Sequence, residues 1–535
     1  MPAPGDSGFS RARACFPPGA PIATEIELKL AARRRDLPAL RRALVDLAGG
    51  AEPVRRKLVA TYFDSDDRVL RRHGLVLRVR KERGRFVQTV KSAGPGEGGI
   101  LGRGEWEDVV AADEPDPRAP HSGRFFAELA GRLFPVFRTE VTRLSLPLAP
   151  AARSRIEAAI DRGKIRCAEH PRSEPICEIE LELKAGPPTA LYDVARHLLA
   201  VAPVRLEPRS KGERGFRLAA GSPPPQAVHA APLALDAAES GEGTLRRVGH
   251  ACVAQVLANE AAALAGEADG IHQMRVALRR FRAILSAFGK WLPARRRAAI
   301  DEELRWLAQA LGAARNFDVF AGDLLRRPRA APGDAAGLER LRKAADRRRR
   351  AAYAAARRAI LSPRYTALLL HLLRWLDGRP GRRRDGGDRL ALPIGEIAPI
   401  LLDRRRRTAR RRSRGFAEQS PQQRHKLRIA LKKLRYTTEL LAGLYDADES
   451  QRFTRTLKRL QDELGEANDV RIGREIVADL APPQRPSPEG EAGRRVLAWH
   501  ELRLAAAEPK LRSQLRRLHR AKPFWRNGEA PARQA

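Results

Sequence analysis

Stretches in which every second residue is apolar dominate residues 22–217 and predict an antiparallel β-sheet. Residues 24–30 read TEIELKL, so a strand there has two carboxylates and an ammonium on one face and three apolar side chains on the other. The charged face consists of Glu25, Glu27 and Lys29. A single strand of this kind fits a solvated surface as well as a wall that holds metal and phosphate.

Seven later stretches repeat the alternation and are separated by turn residues, as in a closed or sandwiched sheet. They span residues 59–63, 75–80, 86–91, 103–110, 139–146, 155–161 and 176–184. Their charged faces carry, in chain order, Arg78, Arg80, Lys91, Arg103, Glu105, Glu107, Arg143, Glu157, Asp161, Glu178, Glu180, Glu182 and Lys184. Because these faces are almost purely carboxylate or guanidinium, we interpret them as the lumen of a closed sheet, with acidic rows for divalent cations and basic rows for phosphate.

A linker and a change of period follow the sheet region. Residues 218–240 are rich in Pro, Gly, Ser and Ala, which predicts an interdomain linker. From residue 241 to 520 the apolar positions follow a helical period and predict an all-α domain. The sequence therefore indicates an α+β protein with domains at residues 22–217 and 241–520.

The helical domain contains an internal repeat, with halves at about residues 241–377 and 392–520. Residues 272–282 match residues 425–435 without a gap, at an offset of 425 − 272 = 153. In each copy a histidine and three cations share one helix face and lack the carboxylates that i, i+4 pairing would supply. The two stripes are His272, Arg275, Arg279 and Arg282, and then His425, Arg428, Lys432 and Arg435. Their residues alone fit a solvated helix face as well as an anion-binding surface.

The net charge of the chain and its distribution narrow the class of binding partner. The net charge is +38, and 63 Lys and Arg against 35 Asp and Glu lie beyond residue 220, compared with 39 against 29 before it. This excess favours a polyanion: nucleic acid, polyphosphate or an anionic membrane surface. Aromatic residues make up only 5% of the chain and form no interleaved stacking platform, which argues against nucleic acid.

Cysteine content and hydropathy bear on the compartment. The four cysteines are scattered and contain no CxxC pair, which argues for a reducing compartment and against a structural zinc site. No apolar run approaches the length of a membrane span, and the N-terminal segment lacks a signal-peptide core. We expect a soluble, cytoplasmic protein without a membrane partner.

The strand motifs together resemble the CYTH domain, the triphosphate tunnel metalloenzyme family. The resemblance rests on ExExK in the first strand and then YFD, RVR, TVK, RxEWE, IDRGKI and CEIELELK, in order across residues 22–217. It implies an eight-stranded antiparallel β tunnel with flanking helices that hydrolyses or cyclises triphosphates with Mg²⁺ or Mn²⁺.

The resemblance also implies roles for the residues at matching positions. The catalytic group would be Glu25, Glu27 and Lys29. Metal would be held by Glu25, Glu27, Glu178 and Glu180. Phosphate oxygens of the substrate would be bound by Arg78, Arg80, Lys91, Arg103, Arg143 and Lys211. Supporting positions on the metal side would be Glu105, Glu107, Glu157, Asp161 and Glu182.

The paired HxxRxAx[RK][RK]xR helices resemble the CHAD domain across roughly residues 236–520. This resemblance implies two pseudo-symmetric helical bundles whose basic stripes bind inorganic polyphosphate. We expect this binding to weaken with salt as counterions are released, and to strengthen on mild acidification as the histidines become cations.

The function we predict is metal-dependent hydrolysis of inorganic triphosphate to diphosphate and phosphate, joined to polyphosphate binding. Three alternatives stay open from the sequence. The tunnel could hydrolyse thiamine triphosphate, it could cyclise ATP as a class IV-type adenylate cyclase does, or it could be a passive anion binder in a scaffold for polyphosphate granules.

Overall fold

The computed structural model describes residues 25–92, 101–151, 153–326, 335–378, 389–482 and 484–526, with the backbone alone at residues 25 and 101–103. The chain divides into two compact units, Met1–Pro224 and Pro225–Ala535. No helix in the described ranges is both long and apolar enough to cross a bilayer.

The first unit is organised around an antiparallel sheet of ten strands. The strands are β1 (Glu25–Ala32), β2 (Val54–Asp64), β3 (Leu75–Glu82), β4 (Arg85–Ser92), β5 (Leu101–Arg103), β6 (Glu105–Val110), β7 (Phe134–Ala151), β8 (Ser154–Cys167), β9 (Ser173–Ala185) and β10 (Val204–Leu206). Each of the eight predicted stretches lies within or overlaps one of the eight longer strands. The two three-residue strands, β5 and β10, were not predicted.

The sheet closes on itself. Neighbouring strands follow the order β10-β1-β9-β8-β7-β2-β3-β4-β6, and β5 pairs with β1 outside this path. The β1–β5 pairs are Glu25 with Arg103, Ile26 with Gly102 and Glu27 with Leu101. Only Gly104 separates β5 from β6, so the chain that follows β4 returns to β1 and completes a ring. A closed ring turns one face of every strand inward, as the alternation predicted.

Four helices accompany the sheet: α1 (Leu37–Leu47), α2 (Val69–Arg72), α3 (Thr189–Val201) and α4 (Lys211–Ala219). Helix α1 packs against β7 and α3, and α4 packs against β7, β8 and β9. A capping box fixes the start of α4, because Ser210 and Glu213 satisfy each other's backbone N–H groups. Farther along α4, a Cβ at Gly215 would lie 2.1 Å from Cε2 of Phe137, so only glycine permits this close approach.

The second unit is helical, which confirms the predicted α+β class with an all-α C-terminal part. Its helices are α5 (Gly241–Ala258), α6 (Glu260–Leu264), α7 (Ala268–Ala287), α8 (Ala294–Ala310), α9 (Gly312–Val319), α10 (Ala335–Ile360), α11 (Pro363–Asp377), α12 (Ile394–Ser413), α13 (Pro421–Leu441), α14 (Ala447–Leu480) and α15 (Pro488–Arg520). Helices α12, α13, α14 and α15 begin 153 positions after helices α5, α7, α8 and α10, respectively (394 − 241 = 153, for example).

One apolar core joins the two halves of this helical unit. Phe320 and Leu324, from the turn after α9, pack with side chains of α10, α14 and α15. Gly473 on α14 permits the contact, because a Cβ there would lie 2.8 Å from Cδ1 of Leu324. The halves are also joined where α7, which carries His272, packs against α13, which carries His425.

Candidate functional site

The lumen of the closed sheet is a cavity of about 340 Å³ whose walls are mostly charged. Its charged lining consists of Glu27, Lys29, Arg78, Arg80, Lys91, Glu105, Glu107, Arg143, Asp161, Glu180, Glu182, Lys184 and Lys211. Thirteen of the residues proposed from the sequence therefore face one space. The side chains of Glu25 and Arg103, which were assigned to metal and phosphate, lie outside the described part of the chain.

Three buried carboxylates converge at one wall of the lumen, where Asp161 and Glu180 line the cavity and Glu178 lies behind them. Asp161 on β8 lies opposite Glu178 on β9, and Glu180 follows on the same face of β9. One oxygen atom from each of the three side chains lies within 4.8 Å of the others. The exposed fractions of these residues are only 0%, 1% and 9%, in that order. A set of carboxylate oxygens is the ligand type that Mg²⁺ and Mn²⁺ prefer.

An ammonium group lies at the centre of this carboxylate cluster. Lys211, the first residue of α4, donates hydrogen bonds from Nζ to Asp161 Oδ2 at 2.7 Å, Glu178 Oε1 at 2.6 Å and Glu180 Oε1 at 2.8 Å. Burial alone would lower the pKa of Lys211, but the three carboxylates raise it well above its ordinary value. The site is therefore shaped and charged to hold a cation.

Two guanidinium groups hold the carboxylates in position from their other sides. Arg143 donates from Nε to Asp161 Oδ1 at 2.8 Å and from Nη2 to Asp161 Oδ2 at 2.6 Å, and it also bonds to Glu180. Arg214 donates from Nη1 to Glu178 Oε2 at 2.7 Å. Burial would raise the pKa of Glu180, but Lys211, Lys29 and Arg143 hold it well below its usual range.

The opening strand joins this cluster through a lysine. Lys29 Nζ lies 2.8 Å from Glu27 Oε2 and 3.5 Å from Glu180 Oε1. Burial opposes the positive charge of Lys29, yet Glu27 and Glu180 raise its pKa above the ordinary value. Of the four proposed metal ligands, the structure brings Glu178 and Glu180 together with Asp161, whereas Glu27 bonds to Lys29.

The opposite wall of the lumen is basic. Arg78 and Arg80 on β3 lie beside Lys91 on β4, and Lys91 Nζ is 2.9 Å from Glu105 Oε1. Buried Nε atoms of Arg78 and Arg80 have no hydrogen-bond partner among the described residues. Burial and the charge of Arg78 lower the pKa of Arg80. These two guanidinium groups retain capacity for an anion in the lumen.

Two features of the lumen were missed by reading the sequence. Asp161 was assigned a supporting position but is one of the three carboxylates that surround Lys211. Arg214 was not assigned, although it lies one helical turn after Lys211 and bonds to both Glu174 and Glu178. The i, i+3 spacing of the two cations at the start of α4 was the available signal.

A second charged cavity, of about 750 Å³, lies between the two halves of the helical unit. Six of the eight residues in the predicted stripes line it: His272, Arg275, Arg279, Arg428, Lys432 and Arg435. Four cations that were not predicted line it as well: Arg315, Lys458, Arg503 and Lys510. The acidic residues of the lining include Asp469 and Glu466, so the cavity is strongly but not purely basic.

The two remaining stripe residues lie elsewhere. Arg282 forms an ion pair with Asp301 on α8, with 2.8 Å between Nε and Oδ1. His425 lines a neighbouring cavity between α13, α14 and α15. The expected lack of i, i+4 carboxylates was also wrong in one place, because Arg435 Nε lies 3.4 Å from Glu439 Oε1.

The cations of this helical cavity repel one another. Burial together with Arg428 and Arg279 lowers the pKa of Lys432 to about 6, although Asp469 opposes the shift. Burial and neighbouring guanidinium groups likewise lower the pKa of Arg275 to about 10. Such shifts arise where positive charge is gathered without enough counter-charge, and a bound polyanion would supply it.

Burial and nearby arginines lower the pKa of His272 to about 4. The pKa of His425 is also lowered, by burial and then by Arg428 and Arg471. The His272 imidazole is therefore neutral at mildly acidic pH in the absence of ligand. The lowered pKa values disfavour histidine protonation in the ligand-free protein, and the strengthening of polyphosphate binding on mild acidification stays a prediction.

Two protein-family models match successive parts of the chain. The CYTH domain profile matches residues 23–216, and the CHAD domain profile matches residues 247–478. The first match spans the closed sheet and the charged lumen. The second spans both histidine helices and most of the cavity between them.

Individual relatives cover parts of the chain. An inorganic triphosphatase of Haemophilus influenzae is 32% identical over 160 residues, which are 30% of this chain and 45% of that protein. An uncharacterised protein of Mycobacterium tuberculosis is 30% identical over 282 residues, 50% of this chain and 52% of that one. The chain thus spans about half the length of the curated relatives it matches. The crystal structure of the CHAD domain from the plant Ricinus communis is 27% identical, with a TM-score of 0.49, over 56% of this chain and 98% of that one.

Proposed function

This chain joins a CYTH domain to a CHAD domain, and on that premise we propose that it hydrolyses inorganic triphosphate to diphosphate and phosphate and binds inorganic polyphosphate. The reaction takes place in the lumen of the closed sheet. The proposal rests on one observation: in one small cavity, a carboxylate cluster on β8 and β9 lies opposite guanidinium groups on β3. A triphosphate with a divalent cation has the matching pair of charges.

The carboxylate cluster fits a divalent cation. Asp161, Glu178 and Glu180 offer three oxygen atoms within 4.8 Å of one another, and the ammonium of Lys211 stands in for a cation among them. We assign these three residues as ligands of Mg²⁺ or Mn²⁺, with Glu27 and, from the sequence motif alone, Glu25 as further candidate ligands. Such an ion supplies neutralisation of phosphate charge and polarises the bond to phosphorus.

The protein's own residues bind and orient the substrate. Arg78, Arg80 and Lys91 bind phosphate oxygens from one wall, and Arg143 and Lys29 bind them from the other. Phosphoryl transfer needs positioning and charge neutralisation more than a reactive side chain, so a rigid ring of cations accounts for much of the rate. The buried position of the cluster keeps bulk water away from these charges and strengthens each contact.

The bond changes are those of a hydrolysis. A water oxygen forms a bond to a terminal phosphorus, the bridging bond from that phosphorus to oxygen breaks, and the bridging oxygen leaves as part of diphosphate. Glu27 is our choice for the carboxylate that orients this water, since it lines the lumen and is held by Lys29. Lys29 then lies where it can stabilise charge on the phosphate oxygens.

The helical unit is proposed to bind polyphosphate in the cavity between its halves. Burial and then the repulsion of neighbouring cations lower the pKa values of Arg275 and Lys432 in that cavity, and a linear chain of phosphates would supply the counter-charge. The aromatic side chains of the described lining are Phe320 and Tyr436, and Tyr436 lies beneath the guanidinium groups of Arg279 and Arg435. A phosphate polymer without bases therefore suits the cavity better than a nucleic acid that needs stacking.

Phosphate release from the full chain tests the enzymatic proposal. We expect release from inorganic triphosphate that requires Mg²⁺ or Mn²⁺, stops with a chelator, and has the highest kcat/KM among inorganic triphosphate, thiamine triphosphate and ATP. Preference for thiamine triphosphate, or formation of cyclic AMP, would instead favour one of the alternative enzymes. Absence of turnover together with polyphosphate binding would leave the scaffold function.

A further inference from the structure

The ammonium of Lys211 occupies the point on which three carboxylates converge. It uses its three N–H donors on three different side chains, at 2.6 to 2.8 Å from Asp161, Glu178 and Glu180. Each of these three side chains also offers an oxygen atom within 4.8 Å of the others, so the same carboxylates could surround a divalent cation. A second cation at the same point would overlap with the ammonium and be repelled by it. A metal ion and Lys211 therefore compete for one place.

The carboxylates do not depend on Lys211 for their position. Arg143 bonds to Asp161 through two nitrogen atoms and reaches Glu180, and Arg214 bonds to the second oxygen of Glu178. Each carboxylate therefore keeps a guanidinium partner if the ammonium leaves. The cluster is preorganised for whichever cation fills it.

Lys211 can leave without displacement of its helix. Ser210 N donates to Glu213 Oε2 at 2.6 Å and Glu213 N donates to Ser210 Oγ at 3.1 Å, so the backbone at the start of α4 is fixed. The lysine side chain itself is a flexible four-carbon stem. It already lines the cavity that also holds Arg78 and Arg80, so a short rotation points Nζ toward a phosphate in the lumen.

We propose that Lys211 is an exchangeable counter-cation. It neutralises the carboxylates before a divalent cation binds, and it moves to a phosphate oxygen when the cation takes its place. This inference rests on the triphosphatase function proposed above. Binding of the divalent cation and binding of triphosphate should then favour each other. The cation frees the Lys211 ammonium for triphosphate, and triphosphate holds that ammonium away from the carboxylates.

Binding of Mn²⁺ alone to the full chain tests the exchange. Electron paramagnetic resonance measures free Mn²⁺ in the absence of any phosphate compound. Lys211→Met removes the competitor, so it should bind Mn²⁺ about tenfold or more tightly than the wild type, a gain of about 1.4 kcal/mol. Lys211→Arg is the matched control, because it keeps a cation at the site and should not gain affinity. Adding Glu178→Gln to either protein should weaken this binding, which identifies the site.

Thermal unfolding supplies a second readout that does not depend on turnover. In a chelator, Lys211→Met should unfold at a lower temperature than the wild type, because three buried carboxylates lose a counter-charge. Mn²⁺ should raise its unfolding temperature by more than it raises that of the wild type.

Two results would overturn the exchange, and they differ in what they say about the function. Equal or weaker Mn²⁺ binding by Lys211→Met, with phosphate release that still requires Mn²⁺, removes the exchange and leaves the triphosphatase in place. Absence of Mn²⁺ binding in every variant removes the exchange and the metal-dependent function together.

Discussion

Arg143 and Asp161 face each other across β7 and β8 and are joined by two hydrogen bonds, from Nε to Oδ1 at 2.8 Å and from Nη2 to Oδ2 at 2.6 Å. Asp161 is fully buried, so its charge depends on this pair and on Lys211. The bidentate contact fixes the orientation of the carboxylate as well as its charge. A carboxylate that binds a metal ion must be held in a fixed orientation.

Loss of this contact should destabilise the first unit. Arg143→Ala leaves a buried carboxylate with less compensation, and we expect the free energy of unfolding to fall by about 3 kcal/mol. Urea unfolding measures the change. Arg138→Ala is the control on the same strand, because Arg138 is half exposed and lies 3.9 Å from Asp113, so its loss should cost less than about 1 kcal/mol. Equal effects of the two substitutions would contradict the structural role of Arg143.

Neutralisation of Asp161 should impair phosphate release. Asp161→Asn keeps the shape of the side chain but removes a charge from the proposed cation site, and we expect kcat to fall by about 100-fold or more. The control is Glu140→Gln on β7, whose side chain points away from the lumen toward Lys164. Steady-state phosphate release in Mg²⁺ and in Mn²⁺ distinguishes them. An active Asp161→Asn protein would exclude Asp161 from the metal site.

The pH dependence of polyphosphate binding should follow a lysine. Burial, followed by the charges of Arg428, Arg279 and Arg435, lowers the pKa of Lys432 to about 6 in the ligand-free cavity, and Asp469 opposes the shift. Bound phosphate raises that pKa again, so binding takes up a proton above pH 6. Affinity should therefore fall as the pH rises from 6 to 8, by at most about tenfold per pH unit for one proton.

Calorimetry in buffers of different ionisation enthalpy measures this proton uptake at pH 7.5. Lys432→Arg keeps a permanent charge and should abolish the uptake at unchanged or higher affinity.

In ligand-free protein the lowered pKa of Lys432 makes the stability of the fold depend on pH in the opposite direction to polyphosphate affinity. The unfolded chain holds the Lys432 proton up to about pH 10.5, so this group makes stability rise with pH from about 6 to 10.5. Proton uptake by the Lys432→Arg protein equal to that of the wild type would contradict the assignment.

Two arginines one helical turn apart on α7 should differ in their effect on polyphosphate binding. Arg279 lines the cavity between the halves, whereas Arg282 is paired with Asp301. Arg279→Ala should weaken the binding of a defined polyphosphate by about tenfold and reduce its dependence on salt, since fewer counterions are released. Arg282→Ala should change neither quantity. Fluorescence titration at two salt concentrations measures both, and similar losses would mean that the cavity is not the binding site.

The strand pattern predicted most of the charged side chains that share the lumen, although Glu157 and Glu178, which were also predicted, do not line the cavity. Alternation with a period of two places Glu27 with Lys29 and Glu178 with Glu180 whatever the rest of the fold does. It could not predict which strands meet. The central position of Asp161 depends on the register between β8 and β9, and ring closure depends on three residues of β5. Both are pairings between distant parts of the chain, which local periodicity does not encode.

In the helical unit, too, periodicity predicted which residues share a face but not which residues they contact. The period of 3.6 placed His272 and Arg279 on one helix face, and both line the cavity. The partners of that face come from other helices. Asp301 on α8 takes Arg282 out of the stripe, and the packing of α14 and α15 places His425 in another cavity. The two copies of the repeated motif are therefore similar in sequence but have different structural surroundings.

Gly215 carries no charge and contacts no candidate ligand, yet the distance between its Cα and the ring of Phe137 leaves no room for even a methyl group. A larger residue there would lever α4 away from the sheet and withdraw Lys211, four positions earlier, from the carboxylates. Such a change would resemble an active-site mutation in every functional assay. The position of Lys211 among the carboxylates therefore depends on a glycine that faces an aromatic ring outside the lumen.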